Sequence, residues 1–126
     1  MNYLFLEYPK CSTCQKAKKW LEENEIPFED RHIVEQNPTA EELRQWTRAA
    51  GFPLKKLFNT SGLLYRSMGL KEKLPQLTEE EQLNLLASNG MLVKRPLVIG
   101  EQILLAGFRP ESWEQLKVPV ILKEDE

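Results

Sequence analysis

The chain reads as one α/β domain built on a mixed four-stranded sheet with an all-helical insertion. Three observations predict this. An apolar run at Tyr3-Leu4-Phe5-Leu6 passes into a helical pattern and then a second extended run, all within roughly thirty residues. The middle of the chain then carries only helical periodicity, and after Gly90 the pattern becomes extended again. With 126 residues, 41% of them hydrophobic, the length suits a single core, taken to span 1–126 with the insertion at about 38–90.

The first strand is read at Tyr3 to Glu7. A helix follows from Ser12 or Thr13, both candidate caps, to about Asn24, with Ala17, Trp20 and Leu21 as its buried stripe. Ile26-Pro27 ends that helix, and Phe28 to Val34 forms a second strand with mixed faces. Strand, helix, strand is the βαβ unit, whose parallel pairing requires a right-handed crossover. Pro38-Thr39-Ala40-Glu41-Glu42 opens the next helix, with Thr39 and Glu42 as a capping box; Leu43, Trp46, Thr47 and Ala50 line one face before Gly51. Short helices are expected at Leu54 to Phe58 and at Leu63 to Met68, the latter ended by Gly69. A further helix starts after Thr78, with Glu81 completing a second capping box, and runs to Asn89-Gly90. Pro96 to Ile99, a Gly100-Glu101-Gln102 turn and Ile103 to Phe108 then form a β-hairpin. Pro110 to Leu116 opens a last helix, and the Val118 to Glu126 tail is expected to fray at its tip while Val118, Val120, Ile121 and Leu122 pack on the body. This order, βαβ then helices then ββα, is that of a thioredoxin-like fold carrying a helical insertion.

Cys11 and Cys14, the two cysteines of the chain, fall at the first strand-to-helix junction, beyond the carboxyl end of a parallel strand where open α/β sheets gather their reactive groups. A cysteine at a helix N-terminus meets the positive end of the macrodipole and unpaired N–H groups, which favour thiolate over thiol; Lys10, Lys16 and Lys18 add positive charge. With its partner one turn on, Cys11 can attack and Cys14 resolve. Other uses of the pair are weaker. Structural zinc needs four ligands, and two Cys with one distant His32 fall short within one chain. A disulfide framework needs more cysteines and an oxidising compartment, and inert core thiols sit poorly with the flanking Lys and polar residues. A net charge of −2 lacks the basic footprint that direct nucleic-acid binding requires. No apolar run approaches the ~20 residues of a membrane span and no leader precedes the first strand, so a cytoplasmic location is expected. Arg95-Pro96 introduces the hairpin; in this fold that proline is typically cis and faces the thiols, which aims Arg95 at the Cys11 loop. Arg109 follows the second hairpin strand and is weighed the same way. His32 and the tryptophans Trp20, Trp46 and Trp113 read as structural, and Glu79-Glu80-Glu81 as the acidic start of a helix.

Taken together, Tyr8-Pro9-Lys10-Cys11-Ser12-Thr13-Cys14, Lys18-Lys19-Trp20-Leu21-Glu22, Phe58-Asn59-Thr60-Ser61-Gly62, Leu70-Lys71-Glu72-Lys73 and Leu92-Val93-Lys94-Arg95-Pro96-Leu97 resemble the arsenate reductase C/Spx family, in its CxxC-containing, glutaredoxin-like branch. The resemblance spans nearly the whole chain. It implies a glutaredoxin-like core, Cys11 as nucleophile, and Arg95 and Arg109 as two oxyanion-binding arginines, with Pro96 and Asn59 at the substrate. Asn59 stands where the arsenate enzymes carry a third arginine, and Cys14 where they carry serine. Both departures point from arsenate toward thiol–disulfide exchange, with thioredoxin or glutathione as reductant, no bound cofactor and no metal, in a monomer. Phe58 and Tyr65 line the site or serve as core aromatics. Two other activities stay open: arsenate reduction, and a regulator similar to Spx that binds the RNA polymerase α subunit with the disulfide as its switch.

Overall fold

Strand β1 (Tyr3–Glu7) lies inside a four-stranded sheet ordered β2-β1-β3-β4, with β2 at Phe28–His32, β3 at Leu97–Ile99 and β4 at Leu104–Ala106. The computed structural model describes residues 2–117, so the reading of the tail lies outside the described residues. Helix α1 (Ser12–Glu23) carries the chain back to pair β2 parallel to β1, from Tyr3↔Phe28 to Glu7↔His32. On its other edge β1 pairs antiparallel with β3, bringing Phe5 opposite Val98 and Leu6 opposite Leu97, and β4 completes the hairpin. The fold is the expected mixed α/β, thioredoxin-like arrangement.

Strand alternation divides the core into two layers. Phe5 and Val98 face α1 and the C-terminal segment, where they pack with Ala17, Leu21, Ile26, Trp113 and Leu116. Leu6, Leu97 and Ile99 face the opposite way, onto the helical insertion. Phe5 and Leu6 are both fully buried, and each such side chain contributes on the order of 1.5–3 kcal/mol by leaving water.

The insertion comprises α2 (Ala40–Ala50), α3 (Leu63–Ser67), α4 (Leu70–Lys73) and α5 (Glu79–Ser88), joined by short 3₁₀ turns at Leu54–Leu57, Leu74–Gln76 and Gly90–Leu92. Both capping boxes form: Thr39 with Glu42, and Thr78 with Glu81. Glu42 has a second partner, since Arg31 grips both its carboxylate oxygens at 2.9 Å while donating to the Gln36 and Asn37 carbonyls. One guanidinium thus ties the edge of β2 to the start of α2. Arg31 and the Thr39 cap hold the Glu42 carboxyl below its usual range, so this pairing supports the fold at neutral pH and is lost as pH falls through that lowered pKa.

Two boundaries differ from the sequence reading. β2 ends at His32 rather than Val34, because the His32 ring accepts the N–H groups of Val34 and Glu35 at Nδ1 and turns the chain. Gly69 ends α3 as expected: in the left-handed region (φ 62°) it turns the chain straight into α4. The last helix is one turn of α-helix, α6 (Pro110–Trp113), continued as a 3₁₀ turn at Glu114–Lys117.

Two positions carry steric predictions. Glu25 closes α1 in the left-handed region (φ 55°), where the Glu25 and Ile26 N–H groups donate to the Glu22 and Leu21 carbonyls in a Schellman arrangement. Glu25→Gly removes the Cβ conflict and is expected to stabilise the protein by about 0.5–1 kcal/mol, read as a rise in the urea midpoint. At Gly90 a Cβ would stand 2.2 Å from the Ile33 carbonyl oxygen, so Gly90→Ala is expected to lower the midpoint at a cost of about 1–3 kcal/mol.

Candidate active site

The chain leaves β1 at Glu7, crosses Tyr8-Pro9-Lys10 and enters α1 with Cys11 as the N-cap residue. The Cys11 N–H donates to the Tyr8 carbonyl (2.9 Å), its carbonyl accepts from Gln15 N (3.1 Å), and its Sγ accepts the backbone N–H of Cys14 (3.2 Å). A sulfur therefore stands where a serine or threonine oxygen would usually cap. This corrects the expectation that Ser12 or Thr13 caps the helix. The α1 N-terminus donates directly onto Cys11, so negative charge on that sulfur meets an N–H donor and the positive end of the dipole.

Cys14 is different. It is fully buried, although its polar neighbours suggested exposure; only Cys11 keeps an opening. The reason is helical: Cys14, Ala17 and Leu21 form the buried stripe of α1, a stripe that the sequence reading began one turn too late. Burial above all pushes the Cys14 thiol up to about 12, with Cys11 and the Glu7 carboxylate adding to the rise. Both cysteines are free thiols.

Cys11 and Thr13 open into a cleft of about 760 Å³. Asn59 and Ser61 line it from the loop before α3, and Lys94 and Arg95 from the segment before β3. Cys11, Asn59 and Arg95 thus come together from three distant parts of the sequence. Arg95 lies over the Tyr8 ring at 5.5 Å and donates to the Met91 and Val93 carbonyls, which holds its guanidinium side-on at the cleft. Pro96 follows through a cis peptide bond; it is buried, its carbonyl accepting the Gly107 N–H at 2.8 Å, and it lines neither this cleft nor the next. Arg109, exposed at the start of α6, lines a neighbouring groove instead. Of the three lysines expected near the thiols, Lys10 and Lys16 are exposed, while Lys18 is drawn off to Asp30 (2.9 Å) and Glu7 (3.9 Å).

The sequence reading missed Glu7. This carboxylate is 5% exposed at the end of β1, accepts from Gln15 Nε2 (2.9 Å), and is pushed above its ordinary range first by burial and then by Asp30. Its signal was the alternation of β1, which turns residues 3, 5 and 7 to the α1 side. His32 stands edge-on to the Tyr8 ring with Nδ1 occupied by backbone donors, as a structural histidine does. Phe58 and Tyr65 pack into the core with ring centroids 6.4 Å apart. Among the described residues, no three His, Cys, Asp or Glu side chains gather as a metal-ligand set.

The model of the ArsC family matches residues 6–116. The chain belongs to that family. Within it, a Bacillus subtilis protein named uncharacterized protein YusI is 50% identical over 91% of this chain and 98% of its own length. The global transcriptional regulator Spx of Enterococcus faecalis is 30% identical, covering 82% of this chain and 77% of the regulator. Among solved structures, an ArsC-family-related protein of Bacteroides fragilis superposes with a TM-score of 0.88 at 61% identity, covering 93% of this chain and 98% of that one. One described as a possible arsenate reductase from Streptococcus mutans gives 0.80 at 45% identity, covering 89% and 97%.

This ArsC-family chain therefore carries two thiols in unequal surroundings, and the inequality is measurable. Near neutral pH, iodoacetamide is expected to label Cys11 alone, with Cys14 modified only after unfolding, as read by peptide mass. A thiol whose pKa rises from 9.0 to about 12 on folding contributes stability below pH 9 that is lost as pH climbs toward 12. Over that window the thermal midpoint of the native chain is expected to fall more steeply than that of Cys14→Ala.

Proposed function

We propose that this protein carries out thiol–disulfide exchange, with Cys11 as nucleophile and Cys14 as resolver. One observation carries the reading: within a single helical turn, one sulfur caps the helix at an open cleft and the other is buried with its thiol held protonated. Such a pair has a built-in order of reaction. The Cys11 thiolate attacks one sulfur of a substrate disulfide, forming a mixed disulfide and expelling the other sulfur as a thiolate. Cys14 then gives up its proton, attacks Cys11 Sγ and releases the second substrate thiolate, leaving Cys11 and Cys14 oxidised by two electrons. Thioredoxin or glutathione returns the pair to dithiol. Arg95 and Asn59 orient the substrate in the cleft beside Cys11, Pro96 bounds the segment that carries Arg95, and one chain supplies every group, so a monomer suffices.

A second reading is favoured by the 30% identity to a transcriptional regulator: the same pair acts as a redox switch that gates docking on the RNA polymerase α subunit. Arsenate reduction has less support. Asn59 replaces a guanidinium and Arg109 lines the neighbouring groove, which leaves Arg95 as the one arginine lining the Cys11 cleft among the described residues. An arsenate oxyanion held there meets Lys94 and a single guanidinium fork, fewer bidentate partners than its several oxygens call for.

The test is thioredoxin-coupled turnover of hydroxyethyl disulfide. Cys11→Ser is expected to abolish turnover, and Cys14→Ser to accumulate a mixed disulfide on Cys11 that intact mass reveals. Turnover by Cys11→Ser removes the assignment. A wild-type chain that forms the disulfide but does not turn over, and binds polymerase α subunit only when oxidised, supports the switch instead.

A further inference from the structure

Beside the thiol cleft runs a larger groove of about 840 Å³ whose wall carries five cations, Lys55, Lys56, Lys71, Lys94 and Arg109, and no carboxylate. None of the five pairs with an acidic side chain among the described residues. Among the other described cations, Lys18, Arg31, Arg44, Arg48 and Lys117 each hold a carboxylate while Lys10, Lys16, Lys19, Arg66, Lys73 and Arg95 do not, so what marks the groove is the gathering of its charges in one concavity. In a chain of net charge −2, five like charges along one concavity repel one another and focus a positive potential there. An anionic ligand relieves that repulsion.

The arrangement of the charges describes the ligand. They stand at four separate places: the 3₁₀ turn at Leu54–Leu57, helix α4, the segment before β3 and the start of α6. A lone phosphate engages only a few such donors, whereas five cations offer charge to a ligand that carries several carboxylates. Between them the lining mixes apolar side chains, of which half-buried Phe52 and Leu105 reach the surface, with the uncharged polar Thr60, Gln82 and Ser112. Of its four aromatic rings, Phe58, Tyr65 and Trp113 are buried and Phe52 alone is half-buried, so successive bases of a nucleic acid find no row of rings to stack on. Several cations beside partly apolar walls suit an extended polypeptide that carries both acidic and apolar side chains. Lys94 and Gly107 line both this groove and the Cys11 cleft, so the two are continuous.

We propose that this groove docks an acidic, extended segment of a partner protein and leads it to Cys11. Docking stands on the groove alone; delivery to the thiol rests on the exchange reading above. The probe is a fluorescein-labelled decapeptide of alternating Glu and Leu, followed by anisotropy beside a Gln-for-Glu peptide and an oligothymidylate of equal length. Lys56 and Lys71 are exposed, so Lys56→Glu/Lys71→Glu keeps the fold, checked by circular dichroism. The acidic peptide is expected to bind and the Gln peptide not, the double reversal to weaken binding about tenfold, and salt to weaken it further. Cys11→Ser should bind as the native chain does. Equal affinity for the reversal variant, no binding of the acidic peptide, or tighter binding of oligothymidylate overturns the docking site. For delivery, a disulfide-bearing acidic peptide should exchange faster than its Gln counterpart with the native chain and lose that advantage in the reversal variant, whose exchange with hydroxyethyl disulfide is unchanged. Equal rates for the two peptides overturn delivery. Absent exchange with hydroxyethyl disulfide, alongside intact peptide binding, overturns the chemistry at Cys11 and leaves the docking site standing.

Discussion

The position of β1 between two partners governs the rest of the molecule. A strand hydrogen-bonded on both edges and buried on both faces must carry apolar residues in succession, and Phe5 and Leu6 do so, one for each layer of the core. Because its pairing with β2 is parallel, the chain has to leave the sheet at the carboxyl end of β1 and return by a helix. That exit places a helix N-terminus directly over the sheet, and whatever side chain stands there receives its unpaired N–H groups. Here the side chain is Cys11.

From this single exit the two sulfurs acquire opposite characters. Three residues along a helix is nearly one turn, so Cys14 is turned beneath Cys11, into the stripe that packs on the sheet. The apolar layer that accepts Ala17 and Leu21 accepts the Cys14 thiol on the same terms and disfavours its charge. Glu7, inward on the same side of β1, adds a buried negative charge that is partly answered by Gln15 and Lys18. The two cysteines are thus embedded in packing rather than added to it, while the insertion and the segment before β3 contribute the walls of the cleft.

What could be read from the sequence was what local chemistry determines. The two capping boxes, the apolar run of β1 and the βαβ order each follow from short stretches of the chain, and all are present. Assembly at a distance was harder. Arg95 was aimed at the Cys11 loop through the expected fold and Asn59 was placed at the site through the resemblance to known proteins, neither through any spacing in the chain. Arg109 was assigned to the same cleft and lies in the neighbouring groove, because the direction of a side chain at the start of a short helix depends on how α6 packs. The burial of Cys14 was legible in principle, in its 3–4 spacing to Ala17 and Leu21, but the polar residues on the opposite face of α1 obscured it. Glu7 went unnoticed because a charged residue at a strand end ordinarily reads as solvent-facing, and only the tertiary structure closes over it.

The route of the chain also sets when the site comes into being. β1, α1 and β2 are contiguous, whereas β3 and Arg95 lie near the other end of the polypeptide, beyond the entire insertion. As the chain emerges from the ribosome, Cys11 is exposed while the segment carrying its cleft is still unsynthesised. A two-stranded pair with one helix leaves the Leu6 face bare and does not hold by itself, so closure of β3 against β1 completes the sheet and the cleft in one event. Until that closure the Cys11 thiol stands without the walls that later surround it, and the nascent chain carries it unguarded.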